Sequence, residues 1–152
     1  MASRVPDVIE ALVARGKTDS GLKAMGVVVT DGPEVTEQGA QDWLIVGFDG
    51  DPEGDFQAAQ TVGGWSDLST GREETFQVTV AAIAGRGDTD VSKARKQAYA
   101  IGAVVEGWLR AEPSIGLRSL EAGIEATRLV QDQTEDGVQA VLLLTVAGRA
   151  FT

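Results

Sequence analysis

Residues 88–111 of the chain read DTDVSKARKQAYAIGAVVEGWLRA, and this stretch decides the fold. One set of its apolar side chains recurs every three or four residues, the spacing of one face of an α-helix. They are Val91, Ala94, Ala98, Ile101, Val105 and Trp108. We expect Asp88 to cap the helix, because its carboxylate can accept from the free N–H groups of the first turn. Pro113 should end it, since the residue before a proline avoids the α conformation. At about 1.5 Å per residue, a helix about 35 Å long could cover a whole sheet face.

Extended segments lie on both sides of this helix. Residues 25–30 and 43–48 are almost continuously apolar, which is typical of strands covered on both faces or meeting another subunit. Residues 56–65 can form a third strand. Residues 75–83 alternate, with Phe76, Val78, Val80 and Ala82 on one face. The opposite face, with Thr75, Gln77 and Thr79, should be partly wet or part of an interface.

Two more strands are predicted after Pro113. Apolar residues alternate with polar ones at Leu120, Ala122, Ile124, Ala126 and Val130, and again along residues 138–150. Asp136-Gly137 between them predicts a tight hairpin turn. With a short amphipathic helix at residues 5–14, the order is α-β-β-β-β-α-β-β. We predict a single α+β domain over residues 1–152, with antiparallel strands and the long helix packed on them.

Composition narrows the chemistry that the chain can perform. The sequence has no cysteine and no histidine, so thiolate metal sites, disulfides and His-dependent triads are excluded. A net charge of −10 argues against a duplex-binding module, which would show a basic stripe. No apolar run is long enough to span a bilayer, and the N-terminus shows no signal-peptide pattern, so we expect synthesis in a cytoplasm.

The most charged and turn-rich stretch is residues 49–55. Asp49, Asp51, Glu53, Gly54 and Asp55 follow the first half of an EF-hand calcium loop. The twelfth position, which needs a bidentate glutamate, holds Gln60, and the loop lies between strands rather than helices. The sequence therefore favours an acidic loop facing solvent or an interface over a calcium site, and no cofactor is expected.

Two further features are open to more than one interpretation. Lys93, Arg95 and Lys96 form a basic patch at the helix start, which is either a solvated face or a contact for an acidic neighbour such as loop 49–55 of another copy. Trp65 follows a glycine pair at a strand end, where it is either core or an interface anchor. Trp108 lies on the apolar stripe, so we expect it in the core.

The chain resembles the tail-terminator (tail-completion, head–tail joining) proteins of siphophages that infect actinobacteria. The likeness covers most of the chain and rests on segments that follow one another in the family's order. They are VPDVIEAL at residues 5–12, VVTDGP at 28–33, WLIVGFDG at 43–50, ETFQVTVAA at 74–82, GDTD at 87–90 and DG at 136–137.

The resemblance implies a virion protein without enzymatic activity, assembled in the host cytoplasm. It would form a hexameric ring on the head-proximal end of the tail tube, end tube polymerisation and bind a neck or head-completion protein. Genome DNA would pass through the ring without specific binding, since acidic walls repel phosphates. Some of Asp49, Asp51, Glu53 and Asp55 would then face the lumen or the interface between rings.

Other functions remain open at this stage. Another neck, connector or tail-tube component is the nearest alternative. Tube proteins usually carry a long β-hairpin loop that stacks on the next ring, and the short predicted turns of this chain count against that assignment. A carboxylate-based hydrolase would need two acids at a fixed spacing in a pocket. A small ligand-binding module would need a cofactor motif, and none is visible.

Overall fold

The computed structural model describes residues 3–33, 42–51, 53–62, 73–88, 90–134 and 137–151. The elements follow one another as α1 (Val5–Thr18), α2 (Ser20–Ala24), β1 (Val28–Asp31), β2 (Asp42–Val46), β3 (Ala59–Val62), β4 (Glu73–Arg86), α3 (Val91–Ala111), β5 (Leu120–Thr134) and β6 (Gly137–Phe151). This confirms the predicted α+β class and element order; the five-residue α2 was not predicted. Within this part of the chain, no helix has both the length and the apolar character needed to cross a membrane.

The six strands form one mixed sheet. Its strand order is β1-β2-β4-β6-β5, and β3 pairs with the part of β4 that lies beyond β2. The prediction that all strands are antiparallel is wrong at one edge, where Val28 to Asp31 of β1 run parallel to Trp43 to Val46 of β2. Parallel and antiparallel partners present similar apolar faces, so the side-chain pattern does not distinguish them.

The helices cover one face of the sheet, which we call the inner face. The inward side chains of β4, Phe76, Val78, Val80 and Ala82, are essentially fully buried, as predicted. On α3 the predicted stripe is buried as well, apart from the half-buried Val91. Gly102 lies in that stripe because a Cβ there would come within 2.7 Å of Leu142 Cδ2. The long helix therefore lies directly on the centre of the sheet.

Helix α3 begins two residues later than predicted. Asp90, not Asp88, is the N-cap, and its carboxylate accepts from the Lys93 backbone N–H at 3.0 Å. Asp88 instead accepts from the Asp90 N–H at 3.0 Å. Both residues have the short side chain that an N-cap needs, so composition alone does not choose between them.

Strand β5 contains a bulge that the alternating pattern conceals. Pairing with β6 shifts by one residue between Ile124 and Ala126. Beyond the shift, the even-numbered side chains point to the other face of the sheet, which we call the outer face. The alternation at residues 120–130 therefore does not mark one face, because Ala126 and Val130 are exposed and Leu129 packs on the core.

Two further predictions about the fold concern the hairpin between β5 and β6 and the strand predicted at residues 56–65. The hairpin between the last two strands is confirmed, and Gly137 pairs with Thr134 as a strand residue. The predicted turn residue Asp136 is not among the described residues. The predicted strand at 56–65 is seen at Ala59–Val62, and its end, including Trp65, lies outside the described residues too.

Trp108 lies in the core, as predicted, and joins α3 to the first two helices. Its indole N–H donates to Asp19 Oδ2 at 2.8 Å, and Asp19 Oδ1 accepts from the Leu22 N–H to cap α2. The indole hydrogen bond is the largest cause of a lowered pKa of the Asp19 carboxyl, which burial opposes. Backbone N–H groups and the charge of Arg15 lower this pKa further.

We expect the stabilisation from Asp19 to be lost in acid. The folded-state pKa lies below the ordinary value of 3.8, so this contribution is fully present above about pH 4 and disappears as the pH falls through the folded pKa. Asp19→Asn should lower the free energy of unfolding by about 1 kcal/mol at pH 7 and by less near pH 2.5. Urea denaturation at both pH values measures this difference, with the exposed Glu10→Gln as the control. An equal deficit at the two pH values would contradict the assignment.

Candidate functional site

The acidic segment forms a loop across the outer face of the sheet. Both ends of this loop, residues 47–58, are fixed to one residue of β4: the Gly47 N–H donates to the Thr79 carbonyl at 2.7 Å, and the Thr79 N–H donates to the Ala58 carbonyl at 2.9 Å. The loop therefore leaves the sheet and returns to it at the same point, which restricts where its carboxylates can lie.

Aromatic and glycine residues hold the loop against the sheet. Phe48 is buried in a small apolar cluster of the outer face with Ile45, Ala81 and Ile83. Its ring stacks on that of Phe56 at a centroid distance of 5.3 Å, and Phe56 is 49% exposed. At Gly50, φ is +84°, a left-handed conformation that favours glycine, and a Cβ there would also lie 2.9 Å from Ile83 Cδ1.

The carboxylates shape the loop through local hydrogen bonds. Asp49 accepts from the Asp51 N–H, Asp51 from the Glu53 N–H and Asp55 from the Gln57 N–H, at 2.9 to 3.0 Å. These are Asx turns, in which the side chain takes the place of a backbone carbonyl. Each of these carboxylates keeps a second oxygen, so the loop presents negative charge to its surroundings.

A groove separates this loop from the outer side of β5 and β6. It consists of two adjoining cavities of about 500 Å³ and 260 Å³, and Asp49, Arg128 and Leu143 line both. The smaller cavity also has Asp51, Val130, Asp132 and Val141 in its wall, whereas Asp55 lines the larger one. We call the smaller cavity the outer groove; its floor is aliphatic and most of its charged rim is acidic.

Arg128 and Val130 are groove residues that the sequence interpretation did not single out. A signal was present, because Arg128 interrupts the apolar even-numbered positions of residues 120–130 while Leu129 interrupts the polar odd-numbered ones. That inversion is what a β-bulge produces, since the extra residue reverses the faces of all that follow. Read this way, Arg128 and Val130 belong to the outer face.

The basic patch lies on the other side of the sheet from the groove. Lys93 and Lys96 are exposed on the first turns of α3, and Arg95 donates to Gln131 Oε1 of β5 at 2.9 Å. The structure thus brings Asp49 and Asp51 to the outer groove and Asp55 to the adjoining larger cavity, and it keeps Lys93 and Lys96 apart from all three. Glu53 is exposed in the same loop, and Trp65 lies outside the described residues.

No metal-binding site is seen in the part of the chain that the structure describes. There, no group of three or more acidic side chains is arranged to hold a metal ion. The Asp19 carboxyl, whose pKa is lowered, caps a helix and binds an indole rather than facing a cavity. What the outer face offers is therefore a concave surface with charged side chains around it.

Comparison with known proteins gives a likeness in fold. No protein-family model matches the sequence, and no curated protein is similar to it. Among solved structures, the chain is similar to a chain in the virion of a native gene transfer agent particle, with a TM-score of 0.68. The two are 15% identical, and the match covers 95% of this chain and 94% of that chain. They share a fold over nearly their full lengths.

Proposed function

We propose that this chain is a structural virion protein of a tailed phage or phage-like particle. It forms a ring at the head-proximal end of the tail tube, ends tube polymerisation and joins the tail to the neck. The observation that carries the proposal is the fold shared, end to end, with a chain of a gene transfer agent virion. The sequence resemblance to tail terminators supports the finer assignment of position and role.

A match over 95% of one chain and 94% of the other is informative about architecture. The shared fold accounts for nearly all of both matched chains. Fold alone does not define function, so the assignment also needs surfaces suited to assembly. This chain provides an acidic groove and a basic helix start on opposite sides of one sheet, as subunits of a closed ring require.

The acidic character fits a subunit beside a DNA channel. A chain with net charge −10 repels phosphates, so DNA would slide past it instead of being held through counterion release. In this proposal Asp49, Asp51, Glu53 and Asp55 face the lumen or a contact between subunits, and Trp65 anchors an interface. The partners are further copies of the chain, the tail-tube protein and a neck protein, and the whole assembles in the host cytoplasm.

Electron microscopy of the purified protein, alone and mixed with the cognate tail-tube protein, tests this function. We expect six-fold rings, or a cap at one end of each tube, together with shorter tubes as the ratio of this chain to tube protein rises. An unrelated acidic protein of similar size serves as the control for tube length. A protein that stays monomeric and leaves tube ends and lengths unchanged would contradict the proposal.

A further inference from the structure

The outer groove has an aliphatic floor that has no partner in the described part of the chain. Val141 and Leu143 form its floor, and Val130 on its rim is 42% exposed. Exposed apolar side chains that are grouped around a concave surface indicate a binding site more than scattered ones do. The groove is open along the outer face, so a side chain or a helix face can enter it.

Charge around the groove defines the chemistry of its occupant. Three carboxylates, those of Asp49, Asp51 and Asp132, surround it against the single guanidinium of Arg128. An aliphatic floor below a mainly negative rim fits a lysine side chain, whose methylene stem packs on apolar atoms while its ammonium reaches the carboxylates. An acidic or wholly apolar occupant would leave the rim charges unpaired.

Helix α3 carries a surface with these properties. Lys93, Lys96, Ala100, Ala103 and Gly107 are all exposed, and their spacing of three or four residues places them on one side of the helix. Among the described residues, no hydrogen bond or ion pair of the structure uses the ammonium groups of Lys93 or Lys96. The short side chains that follow the lysines would let another surface approach closely.

These two surfaces cannot meet within one molecule. Helix α3 packs on the inner face of the sheet through residues such as Ala98 and Ile101, whereas the groove opens on the outer face. The sheet lies between them, so their pairing requires two copies of the chain. A contact between two different surfaces of identical subunits is heterologous, and it closes into a ring when the rotation between subunits allows it.

We propose that the start of α3 in one copy binds the outer groove of the next, with Lys93 and Lys96 above Val141 and Leu143 and beside the groove carboxylates. This inference rests on the proposed ring function and names its subunit contact. The helix side supplies cations and small residues, and the groove supplies the apolar floor and anions. Exposed ion pairs contribute little singly, so the apolar floor and repetition around the ring supply most of the affinity.

A charge exchange tests the contact. Lys93→Glu with Lys96→Glu should raise the protein concentration needed for half-maximal ring formation about tenfold or more, because like charges then face each other. Adding Asp132→Lys and Gln139→Lys in the same chain should restore assembly. Both residues line the outer groove and are exposed, and none of the hydrogen bonds described in the structure uses their side chains. Lys17→Glu with Lys23→Glu is the matched control, with the same change in charge at exposed positions of α1 and α2.

Cysteine cross-linking separates this contact from the ring itself, because the chain has no cysteine of its own. Lys96→Cys and Val130→Cys chains, carrying tags of different size, are mixed and oxidised. A disulfide-linked pair of unequal tags is expected, and Lys96→Cys mixed with Glu10→Cys is the control. Rings or tube caps that form without cross-linking above this control would overturn the contact and leave the proposed function intact. Absence of rings, caps and cross-links would overturn both.

Discussion

Replacing Gly148 by alanine is expected to lower the free energy of unfolding by about 3 kcal/mol. Gly148 lies in β6 between β4 and β5, where it pairs with Phe76 and Ala122. A Cβ at this position would lie 2.2 Å from the Glu121 carbonyl oxygen, 2.8 Å from Phe76 Cζ and 2.9 Å from Ala122 Cα. Two of these contacts are with backbone, so the neighbouring strand must move and lose ladder hydrogen bonds. Thermal or urea denaturation monitored by circular dichroism measures the loss.

Gly123 provides a matched control for this substitution. It is a strand glycine in β5, directly beside the Gly148 region, and a Cβ added there would meet nothing within 4 Å. Gly123→Ala should therefore be neutral or stabilise slightly, because alanine loses less backbone entropy than glycine on folding. Similar stability of the two variants would show that β5 and β6 are not as close at Gly148 as described.

Removing the buried carboxylate of Asp42 should also have a large effect, about 3 kcal/mol for Asp42→Ala. Asp42 Oδ1 lies 2.7 Å from Arg86 Nη1, and its Oδ2 accepts from Gln97 Nε2 at 3.1 Å. The side chains of Asp42 and Arg86 are only 9% and 15% exposed. The substitution leaves the Arg86 guanidinium without its counter-ion and the Gln97 amide without its acceptor in a poorly solvated place, although Arg86 keeps a hydrogen bond to the Gly85 carbonyl. Chemical denaturation measures the cost.

Two comparisons distinguish a buried ion pair from a general effect of charge. Adding Arg86→Met to Asp42→Ala should recover much of the loss, since no unpaired charge then stays buried. Glu106→Ala, which breaks the exposed pair with Arg110 on α3, should change stability by less than about 0.5 kcal/mol. A double variant as unstable as Asp42→Ala, or a large effect of Glu106→Ala, would contradict this account.

The proposed interface gives a physical reason for the uneven outer face. Toward residues 73 and 151 this face is polar and internally paired, for example between Arg149 and Glu121 at 2.8 Å and between Gln77 and Glu125 at 2.8 Å. Toward the hairpin it has an apolar floor that includes Val141 and Leu143, and among the described residues loop 47–58 covers this part of the face incompletely. Water satisfies the first half of the face without a partner, whereas a second copy would gain from burying the other half.

The fold could be predicted in outline because periodicity reports locally which side chains become buried. The helix stripe ending at Trp108 and the alternation from Phe76 to Ala82 both match the structure. The parallel pairing of β1 with β2 could not be predicted, because either direction buries the same side chains. The choice of Asp90 over Asp88 as the helix cap could not be predicted either, because it depends on the backbone geometry at the turn.

The candidate site was predicted less completely than the fold. The charged loop at residues 49–55 and the lysines of α3 were recognisable from composition alone. Their partners were not: Arg128 and Val130 reach the outer face only because the β5 bulge reverses the strand's faces after Ile124. The role of Trp65 as an interface anchor stays a prediction, since it lies outside the described residues.

By itself, the sequence determined the element types, the long helix, the buried inner stripe and the acidic and basic segments, all of which follow from residues close together in the chain. Only the tertiary structure decided which strands pair, in which direction and register, and hence that Asp49 faces Arg128 and Leu143 across one groove. Such contacts join residues far apart in sequence, and they depend on a bulge and on loop ends fixed at Thr79. Long-range pairing is chosen by the packing of the whole sheet, so no local pattern contains it.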